Sequence, residues 1–401
     1  MKNISRSFIL PFVLMIFLSC DPPVTEEDNI FVEVLGLFPS GPHTVTALAL
    51  KTVYLSGSYA NTDSLLFIHM DSSGNISGRE ALLLDYRPYV EYIFPIDNNR
   101  IILSGEMYHY SYVNAFWELS LDGSILGETE MPQRATGIAP AADGNLFFFG
   151  KRYGGNDEND ELVYMKIGTS GDTLWSKEFE ISTTFNITFG LGTQDNGCLA
   201  LGTIWSAKKS DDIFALRIDA NGDTLWTGTF GGDSRDYVDF AMENPDGSFL
   251  ITGRLNVYDT TNVNWSLNSG QQVYLIKLTV DGEKEWTRAL GNTLREEANA
   301  VIGSDNGDYI VLGTRSESYV YLFDETTGWI ARVGADGHEQ WLREFESSLP
   351  MGVVELPSGN LLSVASNLNS SSYGYHSYGS DMRIIKLSSS GTVIKNSLII
   401  P

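Results

Sequence analysis

The chain has 401 residues, 42% of them hydrophobic and 12% aromatic, and 51 acidic against 26 basic side chains give it a formal charge of −25. That balance disfavours nucleic acid or an anionic lipid surface as partner, and the acidity supports solubility rather than marking a site. Beyond Cys20 there is only Cys198, so the mature chain can form no internal disulfide, and Cys198, within the apolar run GCLALG, is expected as a buried small hydrophobe.

Residues 1–19 read as a targeting segment. Lys2 and Arg6 make a basic start, an apolar run from Phe8 to Leu18 is broken only by Pro11, and Ser19 precedes Cys20. This is the pattern of a secretory signal peptide; the run is too short for a membrane span, which needs ~20 apolar residues. The end of the segment, FLSC at 17–20, resembles the lipobox of bacterial lipoproteins. That resemblance implies cleavage before Cys20 and lipidation of its thiol and new amino group. The protein is then exported and lipid-anchored to the outer membrane or cell surface of a bacterium; secretion without lipid is the alternative. Residues 20–29 read as an acidic tether, since DPPVTEEDN has two prolines and no apolar periodicity. In Bacteroidetes-type lipoproteins an acidic stretch after the Cys resembles a surface-export signal.

Residues 30–401 read as one domain because they repeat. An alternating strand, a turn with Gly and a second strand recur at LFIHMDSSGN (66), FWELSLDGSI (116), LVYMKIGTSGDTLW (162), DIFALRIDANGDTLW (212), VYLIKLTVDGEKEW (273), WIARVGADGHEQW (329) and MRIIKLSSSGTVI (382). The turn glycines are Gly74, Gly123, Gly171, Gly222, Gly282, Gly337 and Gly391, spaced 49, 48, 51, 60, 55 and 54 residues apart. A polar turn and a second strand precede each copy: VYLSG (53), IILSG (101), NLFFFG (145), CLALG (198), FLITG (249), YIVLG (309) and NLLSVA (360). The turns before them include DG at 143–144, NG at 196–197, DG at 246–247 and NG at 306–307, which tolerate the positive φ of tight hairpins. Four short strands per ~50 residues, seven times over, predict an all-β, seven-bladed β-propeller. Residues 30–38, IFVEVLGLF, are expected as an extra strand before the first unit, pairing with the last blade to lock the ring; the place of 393–400, VIKNSLII, stays open.

Trp175, Trp226, Trp286 and Trp341 each follow a turn Gly by four residues, which predicts packing between blades. A turn Gly before an outer-strand Trp resembles PQQ-type and other bacterial propeller repeats over residues 43–400. The resemblance supports the fold, not an activity, and no residues for a metal and quinone site can be assigned. DANGDTLW at 219–226 also resembles the Asp-box of sialidases, but Trp226 follows Gly222 by four positions instead of three, and no arginine triad can be picked out. DANGD (219–223) is expected as a hairpin turn, since an EF-hand loop would need Glu where Phe230 stands; NDENDE (156–161) is expected as a solvated loop. There is no G-x-S-x-G, H-E-x-x-H or P-loop, and His43, His69, His109, His338 and His376 show no ligand spacing, so neither cofactor nor metal is expected.

In up-and-down blades the short turns share one face and the longer links the other. The links are rich in aromatics among small polar residues: Tyr108, Tyr110, Trp205, Tyr258, Trp265, Tyr319, Tyr321, Tyr373, Tyr375 and Tyr378. Such rings suit sugars or protein partners. The reading is a non-enzymatic lipoprotein that binds a glycan or protein through its long-link face. Alternatives are a propeller hydrolase or lyase acting on a polysaccharide, with two carboxylates and a basic residue at a channel mouth, and a purely structural envelope component.

Overall fold

The computed structural model describes residues 29–41, 43–54, 61–84, 89–109, 111–130, 137–152, 161–168, 171–180, 185–205, 211–231, 235–258, 269–291, 295–316, 326–367 and 381–399. Among them, twenty-eight strands form seven antiparallel sheets, each built from four consecutive strands. The chain is a seven-bladed β-propeller. The inner strands are β1 (Asn29–Gly41), β5 (Tyr89–Pro95), β9 (Gly137–Pro140), β13 (Phe185–Gly192), β17 (Asp236–Glu243), β21 (Arg295–Gly303) and β25 (Ser348–Glu355).

Position in the blade explains the residue pattern of each strand. The third strand of blade four, β15 (Asp211–Ile218), is buried at all but its first residue, because neighbouring blades cover both its faces. Its sequence, DDIFALRI, is accordingly apolar on consecutive residues from Ile213 to Leu216 and again at Ile218. The outermost strand, β16 (Thr224–Phe230), alternates exposed and half-covered residues and reads TLWTGTF. All seven turn glycines predicted from spacing carry positive φ, between 72° and 89°. Each donates its N–H to the carbonyl three residues back, as Gly222 does to Asp219 at 3.0 Å. A register slip follows in each ladder, the turn-plus-bulge geometry that a left-handed glycine permits. The NG pair at 196–197 is out of phase with the other first turns: Asn196, not Gly197, takes the left-handed position, with φ 63°. Gly197 instead lets Ile218 O and the Arg217 guanidinium approach where a Cβ would stand.

The expected extra strand does not exist. Residues 29–41 are the inner strand of the first blade and pair with β2 (Thr44–Tyr54), while β28 (Val393–Ile399) is the outer strand of the last blade and pairs with β27 (Met382–Leu387). Among the described residues no strand crosses the junction. The ring closes by packing one sheet on another: Val34, Leu37, Ile68 and Met70 of blade one meet Val354, Leu362, Met382 and Ile399 of blade seven. Four polar contacts among the described residues fasten this seam, Val34 N to Ser366 Oγ at 3.1 Å, Lys386 Nζ to Ser72 O at 2.7 Å, and Lys395 Nζ to Gly74 O at 2.6 Å and to Asn75 Oδ1 at 3.3 Å. Each fully buried Leu, Ile or Met contributes about 1.5–3 kcal/mol, so closure without strand exchange is energetically sufficient.

Candidate functional site

Cys20, Tyr110, Trp265, Tyr319, Tyr321, Tyr373, Tyr375 and Tyr378 lie outside the described residues, as do residues 156–160 of the acidic loop. Trp205 ends β14 (Cys198–Trp205) on the long-link side and is 43% exposed. Tyr108 and Tyr258 lie near the ends of β6 (Arg100–His109) and β18 (Phe249–Tyr258) on that side. These strands and their partners, β7 (Ser111–Ser120) and β19 (Ser269–Leu278), run three residue pairs past the start of their inner strands. Each hairpin therefore extends about 10 Å beyond the adjacent strand start at ~3.4 Å per residue. Tyr108 pairs in register with Tyr112 on one, and Tyr258 closes the ladder of the other.

The channel was not legible in the sequence. Six inner strands slip register by one residue against their neighbours, leaving Leu35, Glu91, Thr188, Asp239, Asn299 and Met351 as the extra residue. A bulge re-aims its side chain, and Leu35, Thr188, Asp239, Asn299 and Met351 all line a central cavity of about 710 Å³. The remaining lining comes from the stretches between these bulges and the strand ends, including Phe38, Ile93, Phe189, Phe240, Asp305 and Glu355. The cavity thus occupies the short-turn side of the bulges, opposite the long-link face. Asn299 Nδ2 donates to Pro350 O of the next blade at 3.0 Å, so one bulge fastens onto another.

Asp239 is the unusual group of this wall. Arg254 Nε donates to its Oδ1 at 2.9 Å, and Arg254 also holds Glu297 at 2.9 Å. Its Oδ2 is buried without a hydrogen-bond partner. Burial pushes its carboxyl up to about 6, against the pull of the Arg254 charge and with that of Glu297 adding to the rise. Asp239 of the cavity wall is thus joined through Arg254 to a second carboxylate, while Arg254 and Glu297 are not among the lining residues.

A second feature missed from sequence is a basic residue five positions before the turn Gly: Lys166, Arg217, Lys277, Arg332 and Lys386. The first four are buried. Lys166 pairs with Asp143 at 2.7 Å and Arg217 with Asp195 at 2.6 Å. Lys277 donates to Tyr309 Oη of the next blade. Arg332 joins Asp308 of its own blade to Glu355 of the next, at 3.4 and 2.7 Å. Asp143, Asp195 and Asp308 are thus paired within their own blades, whereas Arg332–Glu355 and Lys277–Tyr309 bind blade to blade. Burial opposes ionisation of Asp195, yet Arg217, the Thr193 hydroxyl and the Gly197 amide hold it at about 2. DANGD is a hairpin turn: Asp219 Oδ1 accepts the amides of Asn221 and Asp223. Cys198 is fully buried, and desolvation pushes its thiol up, out of the reactive range. Among the described residues no three His, Cys, Asp or Glu are grouped to hold a metal.

No protein-family model and no curated protein matches the chain. Solved structures resemble it. A protein of unknown function from Bacteroides caccae is 13% identical, with 75% of this chain and 94% of that one covered and a TM-score of 0.41. The β-propeller domain of the Trilobed protease from Pyrococcus furiosus is 11% identical, with 92% and 97% covered and a TM-score of 0.48. The Dos1 propeller is 10% identical, with 92% and 85% covered and a TM-score of 0.49. At such identities these are likenesses of fold, and no functional reading is taken from them.

Proposed function

We propose that this protein is a lipid-anchored surface propeller of a bacterium that binds a glycan or a protein through its long-link face, without catalysis. The observation that supports this reading is the pair of projecting hairpins, β6–β7 and β18–β19, which lift Tyr108, Tyr112 and Tyr258 above that face. Binding residues concentrate in loops carried on a rigid scaffold. The aromatics Trp265, Tyr373, Tyr375 and Tyr378 fall in links of the same side by sequence. The full-length protein in detergent, titrated against a glycan array and against solubilised envelope proteins, tests the proposal. A saturable ligand whose affinity drops about tenfold or more in Trp205→Ala, Tyr258→Ala or Tyr375→Ala fits it. Equal affinity in all three variants rejects this face. Cys20→Ala should shift the protein from the membrane fraction to the soluble fraction.

A second reading, hydrolysis or eliminative cleavage of a polysaccharide, draws on Asp239, because a carboxyl pushed up to about 6 beside a second carboxylate suits a general acid. Turnover of an oligosaccharide library that disappears in Asp239→Asn would favour it over the binding reading.

A further inference from the structure

We propose that the central cavity is a binding site for a small organic cation, an ammonium group carried on an apolar body. Ligand pockets of roughly 300–1,000 Å³ combine a mostly apolar lining with a few placed polar groups. This cavity, at about 710 Å³, is lined by Phe38, Phe189, Phe240, Ile93 and Met351 with Asp239, Asn299 and Thr188 set among them.

The sign of the charge follows from the lining. Its ionisable members among the described residues are Asp239, Asp305 and Glu355, of which Glu355 is paired with Arg332; no Lys, Arg or His lines it. Asp239 is the point of attachment. Its side chain is 8% exposed, and one of its carboxylate oxygens has no hydrogen-bond partner. A buried carboxylate in that state is costly unless a donor reaches it. The Ala298 amide and Arg254 supply donors, and Arg254 is shared with Glu297, so the three charged groups carry two negative charges and one positive. An ammonium ion supplies the missing positive charge and further N–H donors.

The approach is acidic as well. The short turns near this end of the channel carry Asp97, Asp143, Asp195, Asp246, Asp305 and Asp308 in their first set, with no Lys or Arg among the turn residues. Asp97, Asp143, Asp195 and Asp308 are ion-paired with Arg100, Lys166, Arg217 and Arg332, which leaves Asp246 and Asp305 to favour cations over anions at the mouth.

Calorimetric titration of the full-length protein with phenethylamine, phenethyl alcohol and phenylacetate tests this. The expected result is saturable binding of the amine, at least about tenfold tighter than the alcohol, and no competition from the carboxylate. Met351→Trp, which fills the cavity, abolishes amine binding, and Asp239→Asn lowers it to the level of the alcohol. Equal affinity for the three probes, no saturation by millimolar amine, or an unchanged preference in a folded Asp239→Asn protein would overturn the assignment. If either variant fails to fold, the three-probe comparison on the unaltered protein decides. None of these outcomes depends on the long-link face, where Trp205→Ala leaves amine binding unchanged.

Discussion

Trp226 lies over Gly282 of the next blade: a Cβ on that glycine would fall 2.6 Å from the indole ring. The same ring donates its N–H to Val280 O at 2.9 Å. Trp175 on Gly222, Trp286 on Gly337 and Trp341 on Gly391 repeat the contact. Gly282→Ala is therefore expected to destabilise twice over, through its φ of 80° and through the indole, by about 2–4 kcal/mol in denaturant melts. In a Trp226→Ala background the same change should cost only ~1–2 kcal/mol, the backbone part alone. A double-mutant cycle showing strict additivity would contradict the contact.

Arg332 bridges two blades between carboxylates that are each 12% exposed at the side chain. Arg332→Met should destabilise by about 3–5 kcal/mol, because it leaves Asp308 and Glu355 buried without a counter-charge. Adding Asp308→Asn and Glu355→Gln should recover most of that loss in thermal melts. No recovery would mean the cost lies in packing around the arginine stem.

Asp239 and Asp195 drive stability in opposite directions with pH. The folded chain holds the Asp239 proton to about pH 6, above the ordinary value of 3.8, so stability falls as pH rises from about 4 to 6 and then levels off. Two pH units correspond to ~2–3 kcal/mol. Asp239→Asn should remove this slope and stabilise the protein at neutral pH. Asp195, held at about 2, contributes stability that is complete above about pH 4 and is lost as pH falls toward 2. Urea midpoints across pH 2–7 for both Asn variants measure the two effects separately.

Trp205 is an exposed large hydrophobic side chain, so Trp205→Ala should change stability by no more than ~0.5 kcal/mol. A larger loss in denaturant melts would show that this residue packs rather than recognises.

The blade count and all seven outer turns were legible because a left-handed turn position selects Gly, and Gly recurs visibly. The channel wall was not, because a bulge is a property of backbone register. Leu35, Thr188, Asp239, Asn299 and Met351 share a place but no residue type. The basic residues stood in plain view five residues before the turn Gly in copies three to seven, buried in copies three to six; grouping by charge as well as by Gly would have found them. The closure was misread because β1 ends in PSG, without the Asp-Gly or Asn-Gly turn that marks several other first hairpins. The site aromatics could be placed on a face from topology, but not in a geometry, since most sit in links between strands.

The seam between the first and last blades is where the account is most exposed to test. Spin labels at Asn75 and Lys395, which approach to 3.3 Å between side chains though 320 positions apart, read it directly by electron–electron dipolar spectroscopy. A closed ring of seven sheets gives one narrow peak at short distance, retained when blade four is perturbed at Trp226. A broad distribution at long distance would mean that the sheets form an open arc or two separate bodies, and the shared channel would go with it.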